Sequence, residues 1–218
     1  MNKRTRFLVF LPLFVGYIVG CTETKRAQIF RTNNCEFPCW NQITPGKSSV
    51  FEVKNYLTHS PYVDQTTIGW LGNWNIFSER VSWNFKDSKI NIEVYFYHDI
   101  VQSIVFRDNL DLSVDTALKV FGEPDSIILS TPILLHDYGK IILVHLLYPE
   151  KGIALFLPFP SDKEIIINKR NAIKEIIITD PSQFQKNLTS VFINPKDFEN
   201  GIVPWNGYMN YSKYVGGK

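Results

Sequence analysis

The sequence predicts an α+β domain built on a mainly antiparallel sheet, preceded by an export leader. Three observations carry this. An uncharged run at residues 7–20 follows a cationic start and stops abruptly before polar residues. Two short amphipathic stretches have helix-cap residues in front of them. Each is followed by alternating apolar and polar segments separated by turn residues, the signature of half-buried antiparallel strands.

The leader comes first. Residues 1–6 hold Lys3, Arg4 and Arg6 and no acid, and residues 7–20 hold no charge. Fourteen helical residues reach about 21 Å, short of a hydrocarbon core of about 30 Å. The run therefore suits the apolar region of a secretory signal better than a membrane span. It ends Ile18-Val19-Gly20-Cys21, which resembles the lipobox of bacterial lipoproteins. That resemblance implies cleavage before Cys21 and fatty acylation, of the palmitate kind, on Cys21 as the new N-terminus. Two or more acyl chains, at about 0.8 kcal/mol per buried CH₂, hold a chain on a membrane stably. The expected address is a bacterial cell membrane or outer membrane, lipid-anchored and extracytoplasmic.

Removing residues 1–20 changes the charge balance. Of 23 Lys and Arg, three leave with the leader, so 20 face 21 acids and the formal charge becomes −1. No basic stripe remains to argue for nucleic acid. Residues 21–34 read as a polar tether. The 198 residues from Cys21 onward can bury a sizeable core.

With Cys21 acylated, Cys35 and Cys39 remain as an even pair. In an oxidising compartment such a pair reads as a disulfide. Two free thiols, or a redox or metal role, are the alternatives. The C-x-x-x-C spacing is not that of a thiol oxidoreductase, and two ligands do not make a zinc site.

A first α+β half is expected over residues 35–106. Thr44-Pro45-Gly46-Lys47 is turn chemistry. Ser49 with Glu52 three residues on is a capping box. Val50, Val53, Tyr56 and Leu57 share one face of a helix over about 50–58. A Trp- and Gly-rich loop, TTIGWLGNWNIF, follows. Strands RVSWNFK, INIEVYFYH and IVQSIVF come next, turning at Asp87-Ser88 and His98-Asp99, with one buried face.

A second half is expected over residues 107–180. Ser113 is the N-cap of a helix whose Val114, Ala117, Leu118 and Phe121 share a face, with Gly122 at its C-terminal stop. Strands from Ser126 to Phe159 turn at residues 137–140 and 149–152, and residues 173–179 form a further strand. Residues 181–218 form an aromatic-rich tail packed on the domain, with Pro181 opening a short helix and helix again from about Tyr208.

PCWNQITPGKSS resembles the opening of uncharacterised bacterial lipoproteins. SVDTALKVFGEPDSI with LLYPEKGIALFL resembles the helix-then-sheet unit of the SmpA/BamE and β-lactamase-inhibitor-protein group. The resemblance spans about residues 38–160. It implies a small α+β envelope module that binds other proteins, and it implies no catalytic residues.

The remaining candidates are weaker. His98 and His136 lie near hairpin tips and His145 inside a strand, with no nucleophile motif such as G-x-S-x-G. Asp108, Asp111 and Asp115 could gather calcium but lack the loop pattern; acids at a helix start explain Asp111 and Asp115 more simply. Trp70 and Trp74 between glycines, or Trp205 and Tyr208 in the tail, could rim a sheet face that receives a glycan or protein. No catalytic set, metal set or cofactor is expected. The function expected is an anchored protein-binding or envelope-assembly module, touching the membrane through the lipid on Cys21 and an envelope protein as partner. An envelope hydrolase using His136 or His145, or a glycan-binding protein, is the alternative.

Cys21→Ser is expected to abolish labelling by a radioactive fatty acid and to block maturation. A mature N-terminus mapped anywhere but Cys21 would end the lipoprotein reading.

Overall fold

The structure, a computed structural model, describes residues 35–74, 77–86, 88, 90–135 and 139–215, without the side chains of residues 73, 74, 109 and 135. The leader, the tether and Cys21 lie outside the described residues.

The fold is α+β. The described residues form ten strands and four short α-helices: α1 (Val50–His59), β1 (Gly69–Trp74), β2 (Phe77–Asn84), β3 (Asn91–Tyr97), β4 (Ile100–Ser113), α2 (Val114–Phe121), β5 (Ser126–Leu129), β6 (Ile133–Leu135), β7 (Gly139–Tyr148), β8 (Ile153–Pro160), β9 (Ala172–Thr179), α3 (Phe184–Val191), α4 (Pro195–Asn200) and β10 (Ile202–Pro204). The strands make one sheet in the order β1-β2-β3-β4-β9-β8-β7-β5-β10, with β6 also on β7, and every neighbouring pair is antiparallel.

Local chemistry sets the two leading helices. The Ser49 side chain accepts from the Glu52 N–H, and the Glu52 carboxylate accepts the Ser49 N–H at 2.6 Å. Ser113 caps α2 in the same manner, and Gly122, at φ 82°, ends it. The β3–β4 hairpin turns through His98 and Asp99, both at positive φ (49° and 62°), as a tight two-residue loop requires.

The core lies on both faces of the sheet. On the first face, Val50, Val53 and Leu57 of α1 and Val114, Ala117 and Phe121 of α2 join Trp83, Phe96, Phe106, Ile176 and Leu155. On the second face, Phe184 and Leu188 of α3, Ile193, and Phe198 of α4 cover Tyr95, Val105, Ile177, Ala154, Phe156 and Leu147. The expectation of a single buried face is therefore corrected. β8 and β9 bury successive residues on opposite sides, Ile176 and Ile178 on one, Ile177 on the other, because the C-terminal helices supply a second apolar layer. Asn187 of α3 holds that layer down, donating to Thr179 Oγ1 at 2.7 Å, and Thr179 Oγ1 donates to the Gln102 carbonyl at 2.9 Å.

Three further local expectations change. The Trp- and Gly-rich loop is partly strand β1: Trp70 pairs with Val81 and its ring stacks on Phe96 at 6.1 Å, so pairing overrides two glycines with poor strand preference. Asp111 does not start a helix. Asp108 and Asp111 take left-handed φ (59° and 49°) inside β4, where its register against β9 shifts, and Asp tolerates that backbone better than most residues. The tail is not α-helical from Tyr208. Tyr211 N–H donates to the Ile165 carbonyl and Ile167 N–H to the Met209 carbonyl, which sets Asn210 in an isolated antiparallel bridge with Ile166; only a 3-10 turn follows, Ser212–Tyr214.

Cys35 and Cys39 form a disulfide with Cα atoms 5.6 Å apart. Trp40, just after it, is fully buried against Tyr56 and Phe106.

The turn into β8 is the tightest backbone approach. Gly152 has φ 65°, and a Cβ there would sit 2.0 Å from the Thr179 carbonyl oxygen. Left-handed backbone costs an L-residue about 1–2 kcal/mol before any clash. Gly152→Ala should therefore lose more than about 2 kcal/mol in urea denaturation, with the denaturant slope unchanged. A loss under about 1 kcal/mol would contradict this contact.

Candidate functional site

An open cleft of about 510 Å³ lies between α1 and the N-terminal turn. One wall is α1, whose apolar stripe of Val50, Val53 and Leu57 is buried in the core. That geometry turns Phe51 and Asn55 outward. Phe51 is 78% exposed, although it sits in a helix with a sound apolar face of its own. The opposite wall is the turn at Asn41 and Gln42, both at positive φ (46° and 69°), held by reciprocal backbone bonds between Trp40 and Ile43 at 2.8 Å. Tyr62, 56% exposed, closes one end and lies flat on Phe85, ring centres 5.6 Å apart and 4° from parallel.

Most of the lining residues carry a polar group, Asn41, Gln42, Glu52, Asn55, Tyr56 and His59 among them. Asn41 Nδ2 donates to the Tyr56 hydroxyl at 3.3 Å, and burial raises the Tyr56 pKa so that the phenol stays neutral. His59 Nδ1 lies 2.9 Å from the Asn55 carbonyl, so in the neutral ring Nδ1–H is the donor and Nε2 is left as an acceptor. Glu52 is held below the usual carboxylate range by the Ser49 backbone and side chain. Two exposed aromatic wings over amide, phenol and imidazole groups suit an apolar side chain flanked by peptide groups.

The sequence-predicted binding residues do not gather there. Trp70 is half-buried in β1 with Lys54 Nζ 4.8 Å above its ring. Trp74 ends the same strand, and its side chain lies outside the described residues. Trp205 follows β10 at the other end of the sheet, stacked on Tyr211 at 6.2 Å, with Tyr208 edge-on at 6.2 Å. Eight strand spacings of about 4.8 Å separate the two groups, about 38 Å along the sheet. Each packs locally, and they form no common rim.

Histidine and acid candidates are likewise separate. His145 lies on the second face, its ring 4.1 Å from Phe156, and Nδ1 meets no partner among the described residues. Burial pulls its pKa down to about 3, so it is a neutral packing residue near neutral pH. His98 sits edge-on to Tyr97 at the hairpin tip. His136 lies outside the described residues. Asp115 pairs with Lys119 at 2.7 Å on α2, and among the described residues no three His, Cys, Asp or Glu side chains gather as a metal site.

The strongest electrostatic feature is structural. Arg107 on β4 donates through Nη1 to Glu93 and through Nε to Glu175 of β9, both at 2.6 Å; Arg80 reaches Glu93 at 3.2 Å, and the Tyr95 hydroxyl donates to Glu93 at 2.6 Å. Burial opposes the Arg107 charge, but Glu175 and Glu93 more than offset it and hold the guanidinium protonated. Burial raises Glu175 despite Arg107, and burial with the Glu93 contact pushes Tyr95 up to about 12. A cavity of about 330 Å³ beside this network is walled by Leu143, Phe156, Val191 and Phe192.

Sequence reasoning missed Phe51 and Tyr62. One signal was present: Phe51 breaks the polar face of an otherwise regular amphipathic helix. The Asn41–Gln42 wall carried none, since its approach to α1 is tertiary.

His145 gives a pH prediction. Its folded value, about 3, lies below its ordinary 6.5, so the unfolded chain binds the proton more readily. Stability should fall as pH drops through 6.5 and keep falling toward 3, by up to about 1.4 kcal/mol per pH unit from this group. His145→Leu should flatten the acid limb of denaturation free energy between pH 6 and 4 by about one proton. Equal slopes in the two proteins would show that His145 titrates normally.

No protein-family model, curated protein or solved structure matches the chain, so what it does is argued from its own geometry.

Proposed function

We propose that this chain is a lipid-anchored, extracytoplasmic protein-binding module, and that the cleft beside α1 is its contact surface. The observation that carries the reading is the pair of exposed aromatic rings, Phe51 and Tyr62, that line one concavity. Large apolar side chains left in water around a cleft mark a site for another molecule more often than a packing need.

The anchor adds a distance argument. With cleavage before Cys21, fourteen residue steps lead to Cys35, and a fully extended chain spans about 48 Å over that length. The described domain begins at Cys35, six residues before Asn41 of the cleft wall. The start of the domain is thus tethered within about 50 Å of the bilayer and the cleft wall within about 70 Å, so the partner is a membrane-proximal envelope protein.

The chain order supports an architecture of two helix-plus-meander units. α1 is followed by β1 to β4, α2 is followed by β5, β7, β8 and β9, and the last strands of the two runs are neighbours. Such units are what the resemblance to the SmpA/BamE and β-lactamase-inhibitor-protein group implies for a protein that binds other proteins. Here the cleft is flanked by the first unit's helix.

The test is site-specific photocrosslinking in intact membranes, with a photoreactive phenylalanine at Phe51. A discrete adduct with one envelope protein is expected. Tyr62→Ala should remove it, and the same probe at Leu134, 81% exposed and remote in chain order, should not form it. Equal labelling from both positions, or an adduct indifferent to Tyr62, would overturn the cleft as the contact surface.

A further inference from the structure

The two edges of the sheet differ in kind. β10 is three residues long and ends in Pro204, which has no N–H to offer a neighbour. β1 is six residues, Gly69 to Trp74, and among the described residues no strand pairs with its outer side. Edge strands ordinarily carry a charge, a proline or a bulge that discourages further pairing. β1 carries none of these: it has no charged residue, no proline, and an unbroken register against β2 from Gly69↔Ser82 to Trp74↔Phe77.

Two side-chain positions on β1 lack an internal explanation. Leu71 is 49% exposed. Gly72 has no positive φ, and a Cβ built on it would meet nothing within 4 Å. Neither a turn nor close internal packing calls for glycine there. Glycine in a strand otherwise marks a place where another backbone comes close.

We propose that β1 pairs antiparallel with β1 of a second copy of this chain, joining two sheets into one across a two-fold axis. Self-pairing is the arrangement the strand itself favours. An uncharged strand meets its own copy without like-charge repulsion, and a two-fold contact closes on itself. Pairing β1 with β10 instead would propagate, and the short, proline-ended β10 offers it little.

The side chains select the register. A two-fold axis perpendicular to the sheet keeps each face on its own side, so directly opposed residues have the same parity. Centring the axis on Leu71 places the two leucines opposite each other and buries both. It also places Trp70 of each copy beside Gly72 of the other, where an aromatic ring covers the bare backbone of an edge glycine. The Leu71 Cα atoms would then be about 4.5–5.5 Å apart, within disulfide range.

The test uses the purified full chain in a mild non-ionic detergent. Sedimentation velocity should give twice the protein mass of the monomer. Leu71→Lys should halve that mass with an unchanged far-ultraviolet circular dichroism spectrum, since Leu71 is half in water already. Leu71→Cys should form an intermolecular disulfide under mild oxidation, and Gly72→Cys should not. A monomer at every concentration overturns the proposal. So does a dimer that survives Leu71→Lys, or one linked through Gly72→Cys and not Leu71→Cys. None of these outcomes depends on the cleft or its partner.

Discussion

The pairing of β4 with β9 is the contact on which the rest of the sheet depends. It joins Ser103–Ser113 to Ala172–Thr179, segments about seventy residues apart in the chain, and puts four strands on one side and the remainder on the other. Without it the two meanders would be small sheets, each with a second open edge, at β4 and at β9. The Arg107–Glu175 bond lies across this seam, and Glu93, Arg80 and Tyr95 extend the bonding over β3 and β2. Half-buried charges are costly, and only mutual bonding at good geometry offsets the cost. A shift of either strand by one residue would leave the charges facing the wrong side of the sheet, so the network specifies the register more than it adds stability. Thr179, Asn187 and the Gln102 carbonyl fasten α3 over the same seam.

The seam also decides what is left for function. Because α3 and α4 occupy the second face, the sheet does not offer a broad free surface to a partner. The surfaces proposed for contact therefore lie at the margins: the outward side of α1 and the outer edge of β1. Strand β1 lies at the far end of the first four-stranded run from the seam, and α1 is joined to the β3–β4 hairpin of that run, Val50 N–H donating to the Asp99 carbonyl at 2.9 Å. Phe51, Tyr62 and Leu71 are exposed there, while Trp205 stacks on Tyr211 and meets Tyr208 edge-on after β10. A partner in the cleft and a second copy on β1 would therefore meet the same part of the molecule from different directions.

Much of the local structure was legible in the chain. The capping box at Ser49 and Glu52, the cap at Ser113 with Gly122 at the stop, and the His98–Asp99 turn follow from interactions within four residues, which sequence spacing reports directly. Strand β1 was not legible, because two glycines hide its alternation and only its pairing with β2 makes it a strand. The bridge that Asn210 makes with Ile166 was hidden for the same reason, since its partner lies more than forty residues back in the chain. Of the candidate site, Phe51 was visible as an aromatic out of place on a helix. Its facing wall was not, because nothing near Asn41 in sequence points to α1.

What the sequence determined by itself is the set of short-range elements: caps, tight turns, alternating strands, and an uncharged run at residues 7–20 that stops before Cys21. These depend on neighbours along the chain. Tertiary structure alone decided the strand order, the burial of both faces and the separation of Trp70 from Trp205. It also left Phe51 and Leu71 in water. Those outcomes depend on which segments meet across tens of residues. Several pairings of similar apolar strands are nearly equal in local preference, and only long-range packing and the charge network choose among them.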